Sequence, residues 1–234
     1  MLNTEHPVSD KELAGCIDHT LLDATATSEH IEQLCREAIE FGFHAVCVNP
    51  RWVPLTAEIL HNTKVKVASV VSLPLGADST KIKVAQAKDA IFAGADEIDM
   101  VADLAAIIEG DSRYLSNQLQ AVLKVCRSMR PAVLLKVIIE SAALTHEQKI
   151  FACQIANECR VDFIKTSTGL HPAGGAAIED VKLIKEAAPN CKVKAAGGIK
   201  TAKQALEMLE AGAERIGTSF GVQIIKEFRT RQSQ

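Results

Sequence analysis

Aromatic residues are scarce, making up 4% of the 234 residues, with Trp52 and Tyr114 the single tryptophan and tyrosine. That scarcity removes the stacking platforms of single-strand or sugar-polymer binders and predicts an aliphatic core. A basic surplus is missing too: 26 Lys and Arg stand against 29 Asp and Glu, for a net charge of −3. Neither nucleic acid nor an anionic membrane is therefore an expected partner. No apolar run approaches the roughly 18 residues of a membrane span. The segment 1–10 is polar and has no apolar signal core, so the chain reads as soluble and cytoplasmic. The seven cysteines (Cys16, Cys35, Cys47, Cys126, Cys153, Cys159 and Cys191) stand singly, without C-x-x-C or a histidine at zinc spacing. They read as reduced thiols. Motifs G-x-G-x-x-G and H-x-x-x-H do not occur, and Gly197-Gly-Ile-Lys-Thr201 lacks the earlier glycine of a nucleotide P-loop. No metal and no cofactor is expected.

What is present is a repeated alternation of short apolar runs with helical stretches. No Pro/Gly/Ser-rich linker divides the chain, so residues 1–234 read as one domain. A helical pattern stopping at glycine and followed at once by a strand recurs at Gly42, Gly94 and Gly212, and Arg160 stands in the glycine place of a fourth copy. Gly42 and Gly94 are 52 residues apart, as are Arg160 and Gly212, which suits two βα units per step. Strands are expected at Cys16–Leu22, Ala45–Asn49, Val65–Leu73, Glu97–Ala102, Val133–Glu140, Asp162–Ser167, Lys192–Ala196 and Arg215–Ser219. Helices are expected between them, among them Ser28–Phe41 with a Ser cap, Thr145–Cys159 and Thr201–Leu209. Eight alternations in a chain near the roughly 250 residues of a (β/α)₈ barrel predict that α/β fold, a TIM barrel, with an amphipathic turn at Val8–Ala14 closing its floor. An open doubly wound sheet suits five or six such units better than eight.

Charges inside the predicted strands carry the functional signal. Side chains alternate across a strand, so Ile164, Val193 and Val137 facing the helices send Lys165, Lys194 and Lys136 into the barrel. By the same rule Ile98 outward sends Glu97, Asp99 and Val101 inward. Lys165 and Lys194, on neighbouring strands about 4.8 Å apart, are then close. Desolvation and a like charge both favour a neutral, nucleophilic amine, which is what a Schiff-base lysine requires. The competing account is an internal ion-pair network in which Glu97 and Asp99 merely neutralise the lysines.

A second signal is glycine at the carboxyl ends of the late strands: Thr168-Gly169, Gly197-Gly198 and Gly217-Thr218-Ser219. Barrels bind phosphate with backbone N–H groups in such loops, and Lys200, Thr218 and Ser219 can add to them. Cys47, near the end of strand 2, reads as structural, though its thiol would lie beside a carbonyl site. His19 reads equally as a packing or a site residue.

Ile17-Asp-His-Thr-Leu-Leu22, Val46-Cys-Val-Asn-Pro50, Gly94-Ala-Asp-Glu-Ile-Asp-Met100, Leu135-Lys-Val-Ile-Ile-Glu140, Phe163-Ile-Lys-Thr-Ser-Thr-Gly169, Val193-Lys-Ala-Ala-Gly-Gly198 and Arg215-Ile-Gly-Thr-Ser219 together resemble the deoxyribose-phosphate aldolase family, from strand 1 to strand 8. The resemblance implies a metal-independent class I aldolase on a TIM barrel. Its partners would be small phosphorylated sugars and aldehydes, and exposed helix faces would suit a homodimer. It implies Lys165 as the Schiff-base lysine, Lys194 as the lysine that perturbs it and Asp99 as the proton donor and acceptor. Asp18, Lys136 and Thr168 match further pocket positions, and Gly169, Gly197, Gly198, Gly217 and Ser219 match the phosphate-binding backbone. The chain departs from the family at Phe220, where a second small hydroxyl residue is usual, at Ala177 in place of Thr, and in Val101-Ala-Asp-Leu104, where an Asn is usual. It also lacks a carboxyl-terminal Tyr. Two other readings fit the same residues: a Schiff-base aldolase with an altered or non-phosphorylated acceptor, and a barrel that binds sugar phosphates without turnover.

Overall fold

Short β-branched runs become strands at all eight expected places, and each is followed by at least one helix. In the computed structural model, which describes residues 9–232, the chain enters through α1 (Asp10–Ala14). A capping box fixes that helix: Ser9 N–H donates to Glu12 Oε2 at 2.8 Å and Glu12 N–H to Ser9 Oγ at 3.2 Å. Its Leu13 and Ala14 are buried where the chain turns into the first strand, as a floor element requires. Val8, at the start of the expected turn, lies outside the described residues.

The strands are β1 (Ile17–Leu21), β2 (Ala45–Val48), β3 (Lys66–Val71), β4 (Glu97–Val101), β5 (Leu134–Ile138), β6 (Phe163–Lys165), β7 (Lys192–Ala196) and β8 (Arg215–Thr218). Each pairs in parallel with the next and β8 pairs with β1, closing the barrel. The intervening helices are α2 (Ser28–Phe41), α3 (Val53–Ile59), α4 (Thr80–Phe92), α5 (Leu104–Glu109), α6 (Ser112–Ser128), α7 (His146–Cys159), α8 (Ile178–Ala187), α9 (Ala202–Glu210) and α10 (Gly221–Gln232). Helix α2 has the expected bounds, but Thr27, not Ser28, is its cap, because Thr27 is the last extended residue before the turn. The helix-to-strand junctions repeat as the sequence suggests. Gly42, Gly94, Arg160 and Gly212 all have positive φ, and Arg160 takes the left-handed stop at φ 57° without being glycine.

Alternation divides the interior into two layers. Ile98, Val137, Ile164, Val193 and Ile216 face outward into the aliphatic core between sheet and helices. Inside the barrel, Cys47, Ala68 and Val70 form a small apolar patch on the β2–β3 side. Elsewhere the inner wall carries Asp18, Glu97, Asp99, Lys136, Lys165, Lys194 and Arg215, interrupted by Val101, Ile138 and Phe163. Among the described residues no helix is long and apolar enough to cross a membrane.

Candidate active site

Register brings the predicted charges together. Asp99 stands opposite Lys136 across β4 and β5, and Lys165 opposite Lys194 across β6 and β7. Asp99, fully buried, collects all three ammonium groups: Lys136 Nζ donates to Oδ1 at 2.7 Å, while Lys165 and Lys194 donate to Oδ2 at 2.9 and 2.8 Å. Asp18 on β1 binds Lys194 at 2.5 Å and Arg215 at 2.7 Å. Glu97 lies 2.5 Å from Lys136, 3.3 Å from Arg215 and 3.3 Å from His44 Nε2.

Burial opposes the charge on Asp18, Glu97, Asp99, Lys136, Lys194 and Arg215, and the partners overcome it. Lys136, Lys165 and Lys194 hold the Asp99 carboxyl well below the usual range. Against the same desolvation, Lys194, Lys136 and Arg215 lower the Asp18 carboxyl, and Lys136, His44 and Arg215 lower that of Glu97. Desolvation would discharge Lys136 and Lys194, yet the carboxylates around them raise both above the ordinary lysine value. Lys194 is therefore a fixed cation, held between Asp18 and Asp99.

A cavity of about 410 Å³ opens above this network at the carboxyl ends of the strands. Of the three lysines only Lys165 lines it. Lys136, Lys194, Asp18 and Asp99 lie beneath, so Asp18 and Lys136, expected on the pocket wall, support it from below. Thr168, Gly169, Gly197, Gly198, Gly217 and Ser219 all reach the cavity. Close backbone approach explains two of the glycines in this region. A Cβ on Gly217 would sit 3.0 Å from Lys194 Cε, and one on Gly175 would sit 2.3 Å from the Gly197 carbonyl oxygen. None of the hydrogen bonds among the described residues uses the N–H of Gly169, Gly198 or Ser219.

The family departures have definite places. Phe220 is at the cavity rim, 38% exposed, with Lys200 Nζ 5.4 Å from its ring centre. Ala177 is the N-cap residue of α8. His19 points away from the site: its Nε2 is 2.8 Å from Glu37 on α2 and its ring packs on Phe43. Cys47 points into the barrel, its Sγ 4.0 Å from Asp99 Oδ2, and burial and then the Asp99 charge push its thiol up. Two participants escape the sequence reading. Arg215 obeys the same alternation as the lysines, with Ile216 outward, and that signal could have found it. Glu140 closes the expected fifth strand but gives no sign in the sequence of what its carboxylate binds.

Comparison with known proteins agrees with the geometry. A family profile described as DeoC/LacD family aldolase matches residues 13–227. The chain is 50% identical over 222 residues to a deoxyribose-phosphate aldolase of Thermococcus kodakarensis, covering 94% of this chain and 98% of that one. It is 51% identical over 217 residues to that of Aciduliprofundum boonei, covering 92% and 96%. Among solved structures it resembles the tetrameric deoxyribose phosphate aldolase of Aeropyrum pernix, with a TM-score of 0.88 and 29% identity over 95% of this chain and 93% of that one.

Proposed function

The chain belongs to the DeoC/LacD aldolase family, and from that premise we propose that it reversibly cleaves 2-deoxy-D-ribose 5-phosphate to acetaldehyde and D-glyceraldehyde 3-phosphate through a Schiff base on Lys165. The observation that carries this reading is that, among the described residues, Lys165 alone joins the buried ionic network to the cavity. In the synthetic direction the neutral Lys165 amine attacks the carbonyl carbon of acetaldehyde, and the carbinolamine loses water to give an iminium ion. Loss of a methyl proton yields the enamine. Its carbon attacks the aldehyde carbon of the acceptor, whose oxygen takes up a proton, and water then hydrolyses the iminium and frees the lysine.

Asp99 and Lys194 serve the proton transfers, help of a kind worth about 10²- to 10⁴-fold. Lys194 is a permanent cation beside Lys165, and with Asp18 and Lys136 it keeps the Asp99 carboxylate aimed at the reacting nitrogen. The N–H groups of Gly169, Gly198 and Ser219, with Gly197, Gly217 and Lys200 around them, suit the phosphate, which anchors and orients the substrate. The seven free thiols support a cytoplasmic location, and the exposed helix faces suit pairing between copies.

Borohydride reduction in the presence of acetaldehyde tests the assignment. A two-carbon adduct is expected on Lys165 and on no other lysine, and Lys165→Arg should abolish it. Folded protein that cleaves the substrate without such an adduct would refute the mechanism.

A further inference from the structure

Glu140 stands apart from the network around Asp99. It follows β5 at the carboxyl end of the barrel, in the left-handed region at φ 47°, ψ 55°, and is 1% exposed. Among the described residues its carboxylate pairs with no cationic side chain within 4.0 Å. It binds Thr168 instead: the Thr168 N–H donates to Oε1 at 3.2 Å and Oε2 at 3.3 Å, and the Thr168 hydroxyl donates to Oε2 at 2.5 Å. The backbone on either side is strapped to the strand that carries Lys165. Ile139 N–H donates to the Lys165 carbonyl at 3.1 Å and Ser141 N–H to the Thr166 carbonyl at 2.8 Å. A buried carboxylate and an unfavourable backbone angle are thus both held in place at one cavity-lining threonine.

The count of protons at that threonine is decisive. A hydroxyl has one proton and two lone pairs, and a carboxylate can only accept. The Thr168 proton is therefore committed to Glu140, and Leu170 N–H occupies one lone pair at 3.1 Å. What remains is one acceptor and no donor. Such an oxygen would repel the carbonyl oxygen of an incoming aldehyde, which gains negative charge as the carbon–carbon bond forms. It suits a neighbouring hydroxyl that donates.

We propose that Glu140 is a positioning residue that fixes the Thr168 hydroxyl as a hydrogen-bond acceptor, so that the cavity selects acceptor aldehydes bearing a hydroxyl on the carbon next to the carbonyl. The proposal rests on the aldolase reading above. In synthesis from acetaldehyde, kcat/KM is compared for D-glyceraldehyde 3-phosphate and for 3-oxopropyl phosphate, which lacks that hydroxyl. The wild type is expected to prefer the hydroxylated acceptor by at least about tenfold, the scale of one well-placed hydrogen bond. Glu140→Gln offers an amide donor to Thr168, turns its proton outward, and should reduce the preference about tenfold. Thr168→Val should do the same, Thr168→Ser should keep it, and Glu140→Gln added to Thr168→Val should change it no further. If Glu140→Gln does not fold, the Val and Ser variants still decide whether the hydroxyl selects. Equal turnover of both acceptors by the wild type, or an unaltered preference in folded Glu140→Gln or Thr168→Val, overturns the proposal. Absence of any turnover and of any borohydride-trapped adduct overturns the aldolase reading beneath it.

Discussion

Asp99 is one carboxylate serving three ammonium groups, which makes it the residue whose loss the interior can least absorb. Asp99→Asn preserves shape but leaves Lys136, Lys165 and Lys194 with only Asp18 and Glu97 to neutralise them. Removing one partner from a buried ionic cluster costs about 3–5 kcal/mol, and urea unfolding at pH 7 should show a loss of that order, together with loss of turnover. Strand alternation alone makes most of this cluster legible, because a lysine or carboxylate next in sequence to an isoleucine or valine that faces the helices must face inward. Lys165, Lys194, Lys136, Glu97 and Asp99 follow from that rule. Asp18 enters through the family resemblance, and the depth of each residue is not legible at all. Alternation says inward; only the stagger of the closed barrel decides that Lys165 reaches the cavity while Lys136 and Lys194 stop beneath it.

At the scale of elements, Ala177 begins α8 with an extended backbone and no side chain able to accept from the first turn. Ala177→Ser supplies that acceptor. It is expected to stabilise the protein by about 1 kcal/mol and to raise Tm by about 2–4 °C in a thermal melt, with no change in substrate preference. The ends of elements are where sequence and structure part. Strand β7 runs over the expected residues, whereas β6 keeps only Phe163–Lys165 of the expected Asp162–Ser167. The β6–β7 ladder ends at Lys165 because the Ala196 N–H donates to the Thr166 hydroxyl, which in turn donates to the Ala196 carbonyl, in place of a further backbone pair. Likewise β5 stops at Ile138, short of the expected Glu140, since a left-handed residue cannot continue a strand. Apolar periodicity reports the ladder and is silent about side-chain bonds that replace it.

For the whole molecule, the buried carboxylates set an acid limit. Asp18, Glu97 and Asp99 have lowered values in the fold, so between the unfolded value of about 4 and those lower values the unfolded chain binds more protons. Their contribution is complete above about pH 5 and is lost as pH falls through that window. The urea midpoint should be nearly flat from pH 6 to 8 and drop steeply below pH 4; a midpoint that held at pH 3 would mean that these pairs contribute nothing. The same enclosure gives the interior a parity. Lys136, Lys165, Lys194 and Arg215 are four cations facing three carboxylates in one connected cluster. In the proposed cycle the unmatched positive charge belongs to the nitrogen of Lys165 and comes and goes with its state. Ammonium and iminium carry it, while free amine and enamine do not. The two species that must donate electrons, amine and enamine, are the two for which the charges of the interior sum to zero.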